Sequence, residues 1–195
     1  RTELVDALIQ AGRLKPEGAV SRIPLGRMAE PQEMAHALLF LASPGAAPLS
    51  GQALSVDGGS SVYGGSQPMP ATQLAVQPWD TALRLEIVGG DATPWQAVGH
   101  ASASGLHHTA CLDLSAQHTA PGGLQQAVLS AATRFANRHT QQSSLTLLLP
   151  AQTPTDWQTA GDHAAARMLV STLACEWGSR ALRINALVVP ADVTP

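Results

Sequence analysis

Ser144-Leu145-Thr146-Leu147-Leu148-Leu149, then Asp162 to Trp177, then Leu182-Arg183-Ile184-Asn185-Ala186-Leu187-Val188-Val189 are the stretches that decide the fold. The first and last are short apolar runs of strand length. Between them Ala165, Met168, Leu169, Thr172, Leu173 and Glu176 recur at three- and four-residue spacing, which predicts a helix. A strand, a helix and a second strand make a parallel pair joined by a crossover.

Moving outward, Leu124 to Phe135 has helical spacing after Pro121-Gly122-Gly123, and Thr109-Ala110-Cys111-Leu112-Asp113-Leu114 has the composition of a buried strand. Leu83-Arg84-Leu85-Glu86-Ile87-Val88 alternates apolar and charged residues, as a half-exposed strand does. The order from 107 onward predicts an α/β fold, a Rossmann-like parallel sheet with crossover helices. Residues 58–81 are rich in Gly, Ser, Pro, Thr and Gln and read as a linker. Ahead of it, residues 2–12 read as a helix capped by Thr2 and stopped by Gly12. A second helix begins at Pro31, with Glu33 in its first turn and Met34, Leu38 and Leu41 on one face. Leu49 to Val56 reads as a short strand closed by Asp57-Gly58-Gly59.

The 195 residues suffice for one ordinary α/β domain and leave little room for two. Apolar residues make up 45% and charged residues 13%, so a core can form. The net charge is −3 with no basic run, which excludes nucleic acid as the main partner. The longest apolar run, Ala35 to Ala42 broken by His36, is too short to span a membrane, and no secretion leader is legible. The first residue is Arg1 rather than Met, which leads us to expect a start that lies upstream or has been removed. Cys111 and Cys175 sit in apolar segments and predict free thiols in a reducing, cytoplasmic setting.

Three motifs carry a resemblance. They are Ile23-Pro24-Leu25-Gly26-Arg27-Met28-Ala29-Glu30-Pro31, Leu38-Leu39-Phe40-Leu41-Ala42-Ser43, and Gly51-Gln52-Ala53-Leu54-Ser55-Val56-Asp57-Gly58-Gly59. In this order they closely resemble the C-terminal third of short-chain dehydrogenases/reductases. Residues 107–195 resemble, more weakly, the central part of a second such unit. In that part Leu173-Ala174-Cys175-Glu176-Trp177-Gly178 and Leu182-Arg183-Ile184-Asn185-Ala186-Leu187 look like the active-site helix and the strand after it. A C-terminal third therefore precedes a central part. A piece of a tandem double-unit protein and a circularly permuted single unit both produce that order, and the linker composition favours the piece. The expected division is 1–65 as the end of one unit, 66–81 as linker and 82–195 as a degenerate second unit, so the Rossmann-like fold is incomplete or permuted within this chain.

The resemblance implies an oxidoreductase that moves hydride between NAD or NADP and a carbonyl or alcohol. It needs a tyrosine acid/base with a lysine four residues on, one helical turn away. Aligned on Glu176-Trp177, those positions fall on Thr159 and His163, and the companion serine falls near Leu148-Leu149-Pro150. The lone tyrosine, Tyr63, is followed four residues on by Gln67, and the lone lysine is Lys15. No catalytic residue is therefore assigned. The glycine-rich phosphate turn is missing as well. Gly89-Gly90 and Gly99 with Gly105 lack its spacing, and Gly58-Gly59 and Gly64-Gly65 read as turns.

The resemblance also implies cofactor contacts at Thr2, Asp113 and Pro190. A helix cap at Thr2 and a polar strand end at Asp113 are the competing readings. His100, His107 and His108 lack the spacing of a metal site, because adjacent strand residues point to opposite faces. The small residues Ala164, Ala165, Ala166, Ser171 and Ala174 suit close helix packing, either inside the unit or between subunits. Two functions follow. One is part of a short-chain oxidoreductase whose chemistry lies outside these residues. The other is a non-catalytic pseudo-dehydrogenase scaffold for assembly. A permuted enzyme using His163 is a weaker third. Expected partners are a homo-oligomer or the remainder of the parent protein, with no membrane.

Overall fold

The computed structural model describes residues 1–65, 67–70, 83–88, 106–111, 114, 122–140, 142–151 and 156–189. Four strands, β1 (Leu83–Val88), β2 (Leu106–Cys111), β3 (Ser143–Pro150) and β4 (Leu182–Val189), form one parallel sheet in the order β1-β2-β3-β4. Leu85 pairs with His108, Thr109 with Leu145, and Leu145 with Ile184. The predicted α/β class and the crossovers are as expected. The strand anticipated at 109–114 lies three residues earlier.

Numbered in chain order, the helices are α1 (Glu3–Gln10), α2 (Pro16–Val20), α3 (Pro31–Leu41), α4 (Ser60–Tyr63), α5 (Gly123–Arg138) and α6 (Trp157–Gly178). The last of these starts five residues before the expected Asp162. Asp156 caps it, accepting from the Thr159 N–H at 2.8 Å.

The core belongs to the second half of the chain. Leu145, Leu147 and Leu149 alternate along β3 and are at most 2% exposed, and Leu182 and Ile184 on β4 are likewise buried. The period of two puts them on one face. Val128, Ala132 and Phe135 of α5 and Ala166, Val170 and Trp177 of α6 bury against them. Both crossover helices thus cover the same face. Sequential strand order with right-handed crossovers requires this arrangement. Phe135 and Trp177 stack with ring centroids 5.7 Å apart.

Residues 1–65 add almost nothing to this core. Neither α1 nor α3 has a buried residue. Leu38 is 67% and Leu39 68% exposed. The face predicted from Met34, Leu38 and Leu41 forms on a helix, but Met34 is only half-buried and Leu38 and Leu41 are exposed. Two expectations need correction. Leu49 to Val56 form no strand, and Leu54 and Val56 are exposed. A lone extended segment has no neighbour here to complete its ladder. The stretch 58–81, read from composition as linker-like, opens with the helix α4, between Gly59 and Gly64 in left-handed conformations, within the 1–65 segment of the expected division.

Candidate functional site

The N-terminal segment meets the sheet unit at the far end of α6. The loop at Pro24 lies against Gly178, so close that a side chain at 178 would strike the Pro24 carbonyl. Asp57 shapes the neighbouring turn by accepting from the Gly59 N–H at 3.0 Å and the Ser61 N–H at 2.8 Å. The Ser61 hydroxyl, aided by these N–H bonds and opposed by partial burial, holds its carboxyl below the usual carboxylate range. The Leu25 N–H donates to the Gly58 carbonyl at 3.2 Å. Gly58 has φ +66°, and a Cβ there would come within 2.7 Å of Ile23. The Asp57-Gly58-Gly59 motif is therefore a docking turn for the loop 23–25.

Arg27 closes this loop onto α3. Its guanidinium makes a two-pronged pair with Glu33, both contacts at 2.7 Å. Glu33 also accepts from the Glu30 N–H at 2.8 Å, holding the first turn of α3. The Arg27 hydrogen bond is the main cause of a lowered Glu33 pKa; partial burial opposes it, and the Glu30 N–H adds to it. A depressed carboxylate contributes stability above its unfolded value and loses it as pH falls through the folded one. We expect α3 and its loop to loosen as pH drops below about 4.5, the ordinary value for this group. Amide exchange in α3 reads this directly, and Glu33→Gln should remove most of the acid sensitivity.

Between this loop, the Asp57 turn, α6 and β4 lies a cavity of about 510 Å³. Leu25, Val56, Val170 and Ile184 supply apolar walls, and Arg27, Glu33, Asp57, Arg167 and Arg183 supply charge. Arg183 lines the cavity beside its β4 neighbours Leu182 and Ile184, within reach of the Arg27 and Glu33 charges. Burial pulls the Arg183 pKa below its ordinary value, the Arg27 charge adds to this, and Glu33 opposes it. Among the described residues, no tyrosine, lysine, histidine or cysteine lines the cavity. Sequence reading missed this cluster. The signal was a lone arginine inside the apolar run Leu182-Arg183-Ile184.

The positions aligned with the tyrosine and lysine lie elsewhere. Thr159 is in the first turn of α6, where its hydroxyl donates to Asp156 at 2.7 Å. His163, one turn on, is 4% exposed. Thr2 is exposed at the N-cap of α1, with no side-chain cap bond and no place in the cavity lining. Asp113 and Pro190 lie outside the described residues, as do Gly89, Gly90 and His100. No cluster of three potential metal ligands occurs among the described residues. No described helix is long and apolar enough to cross a membrane.

Both crossover-helix N-termini among the described residues are occupied by side chains. Dinucleotides sit where strand order reverses, with the pyrophosphate on a helix N-terminus. Here the order runs β1 to β4 without reversal. The N-terminus of α5 is already taken, because Asp162 accepts from the Leu124 N–H at 2.8 Å and the Gln125 N–H at 2.9 Å. That of α6 is closed by Asp156.

Residues 1–61 match the family model described as enoyl-(acyl carrier protein) reductase. A tropinone reductase homolog of Arabidopsis thaliana is 51% identical over 55 residues, covering 28% of this chain and 21% of its own. A 3alpha-hydroxysteroid dehydrogenase of Mediterraneibacter gnavus is 50% identical over 58 residues, 30% of this chain and 22% of its own. An uncharacterized short-chain type dehydrogenase/reductase of Sinorhizobium fredii is 37% identical over 100 residues, 48% of this chain and 18% of its own. The chain thus spans about a fifth of the length of these curated relatives. The Sinorhizobium match is too long to fit within residues 1–61, and its fraction makes that relative about twice as long as the other two. No solved structure matches.

Proposed function

We propose that this chain is the junction of a tandem enzyme of the short-chain dehydrogenase/reductase family, whose members use NAD(P), a reading supported by the family match of residues 1–61 and by the relatives named above. In this reading residues 1–65 close the substrate side of a catalytic unit acting on a carbonyl or alcohol. The tyrosine, lysine and phosphate-binding turn of that unit lie outside these 195 residues. Residues 82–195 are a degenerate second unit that keeps sheet and helices and serves assembly.

The observation that carries the proposal is the bare apolar face of α3. Leu38, Leu39, Phe40 and Leu41 are all exposed, from 41% to 68%, although they lie in the segment with the strongest family signature. A helix this apolar forms stably against a partner rather than in water. The roughly doubled length of the Sinorhizobium relative supports the tandem arrangement.

The scaffold role of 82–195 rests on Thr159 and His163 at the tyrosine and lysine positions. A threonine hydroxyl does not ionise near neutrality, and His163 is shorter than lysine and enclosed. Titration of the 195-residue chain with NADH and NADPH, followed by nicotinamide fluorescence, tests this. Binding no tighter than about 1 mM is expected, and a low-micromolar constant would overturn the scaffold reading.

A further inference from the structure

The cavity beside β4 holds an excess of one positive charge, from Arg27, Arg167 and Arg183 against Glu33 and Asp57. Both carboxylates are engaged locally, Glu33 by Arg27 and the Glu30 N–H, and Asp57 by the Gly59 and Ser61 N–H groups. The Nη2 of Arg183 is buried with no hydrogen-bond partner. A buried donor left without an acceptor costs about 1–3 kcal/mol, more for a charged one. An acceptor entering the cavity relieves that cost. Arg167, exposed on α6, adds a second cation at the rim.

We propose that this cavity is a binding site for a small organic carboxylate, its charge met by Arg183 with Arg167 at the mouth and its apolar body against Leu25, Val56, Val170 and Ile184. Three features select this class. A guanidinium fork matches a planar carboxylate in two parallel hydrogen bonds. The single excess charge calls for a monoanion. The volume of about 510 Å³ and the aliphatic walls suit a small molecule with a hydrocarbon part. The site is built from both halves of the chain, so occupancy also ties the loop 23–33 to β4. The proposal is independent of whether the second unit binds a dinucleotide.

The test is calorimetric titration of the 195-residue chain with benzoate, hexanoate and inorganic phosphate at low salt. Saturable benzoate or hexanoate binding near 1 mM is expected, weakened at least about tenfold by Arg183→Gln and unchanged by Arg134→Gln on the exposed side of α5. No saturable binding overturns the proposal, as does equal affinity in Arg183→Gln. Tighter binding of phosphate than of either carboxylate overturns the ligand class. Should Arg183→Gln not fold, Arg167→Gln at the rim carries the test: a loss of about threefold or more supports the site, and no change removes it.

Discussion

Asp162→Ala is expected to lower the unfolding free energy of the sheet unit by about 3 kcal/mol, read by urea denaturation followed by circular dichroism. Asp162 reaches across from α6 and caps α5 some 38 residues earlier in the chain, with one oxygen on the Leu124 N–H and the other on the Gln125 N–H. Gly122, in the left-handed conformation, occupies the N-cap of α5 and has no side chain to do this. Two N–H groups then lose their acceptor where Leu124 is only 1% exposed. Charged hydrogen bonds of this kind are worth about 1.5–3 kcal/mol each, and stabilities of about 5–15 kcal/mol leave little reserve. Asp162→Asn keeps one accepting oxygen and should recover about half the loss. Equal stability of wild type and Asp162→Ala would show that water serves the α5 terminus as well.

Leu147→Ala should cost about 3 kcal/mol, whereas Leu38→Ala should change stability by less than about 0.5 kcal/mol. Leu147 is 0% exposed in β3, between neighbouring strands and beneath the helix layer. Leu38 is an equally large residue but 67% exposed on α3. The contrast separates the half of the chain that owns a core from the half that does not. A loss above about 1.5 kcal/mol for Leu38→Ala would mean that α3 is buried within these 195 residues, against the tandem reading.

Apolar runs of strand length marked β3 and β4, and the order of strands and helices predicts the parallel sheet. The α6 helix is present, but its inward row is Ala166, Val170 and Trp177, whereas the row read from Ala165, Met168, Leu169, Thr172, Leu173 and Glu176 leaves Met168 66% exposed. Capping moved the boundaries, and Asp156 carries α6 back to Trp157. Leu49 to Val56 has a strand composition, but a strand needs a neighbour for its backbone groups, and composition does not reveal whether one is present. The absence of a tyrosine–lysine pair was legible because the chain has one residue of each kind, Tyr63 and Lys15. The Arg27, Glu33 and Arg183 cluster was not legible. Its members lie as far apart as 27 and 183 and meet only when the loop at Pro24 docks on Gly178. The capping of α5 was hidden for a similar reason, because the occupant of its N-terminus, Asp162, comes from a different helix.

The most direct measurement of the central claim is turnover. The 195-residue chain is mixed with a simple ketone and NADPH or NADH, and loss of reduced nicotinamide is followed by absorbance. On the proposed alignment, which sets Thr159 and the enclosed His163 where a phenol and an ammonium are needed, the rate should equal that of the solution without protein. A protein-dependent rate that saturates with ketone would contradict the claim that these residues hold no hydride-transfer site.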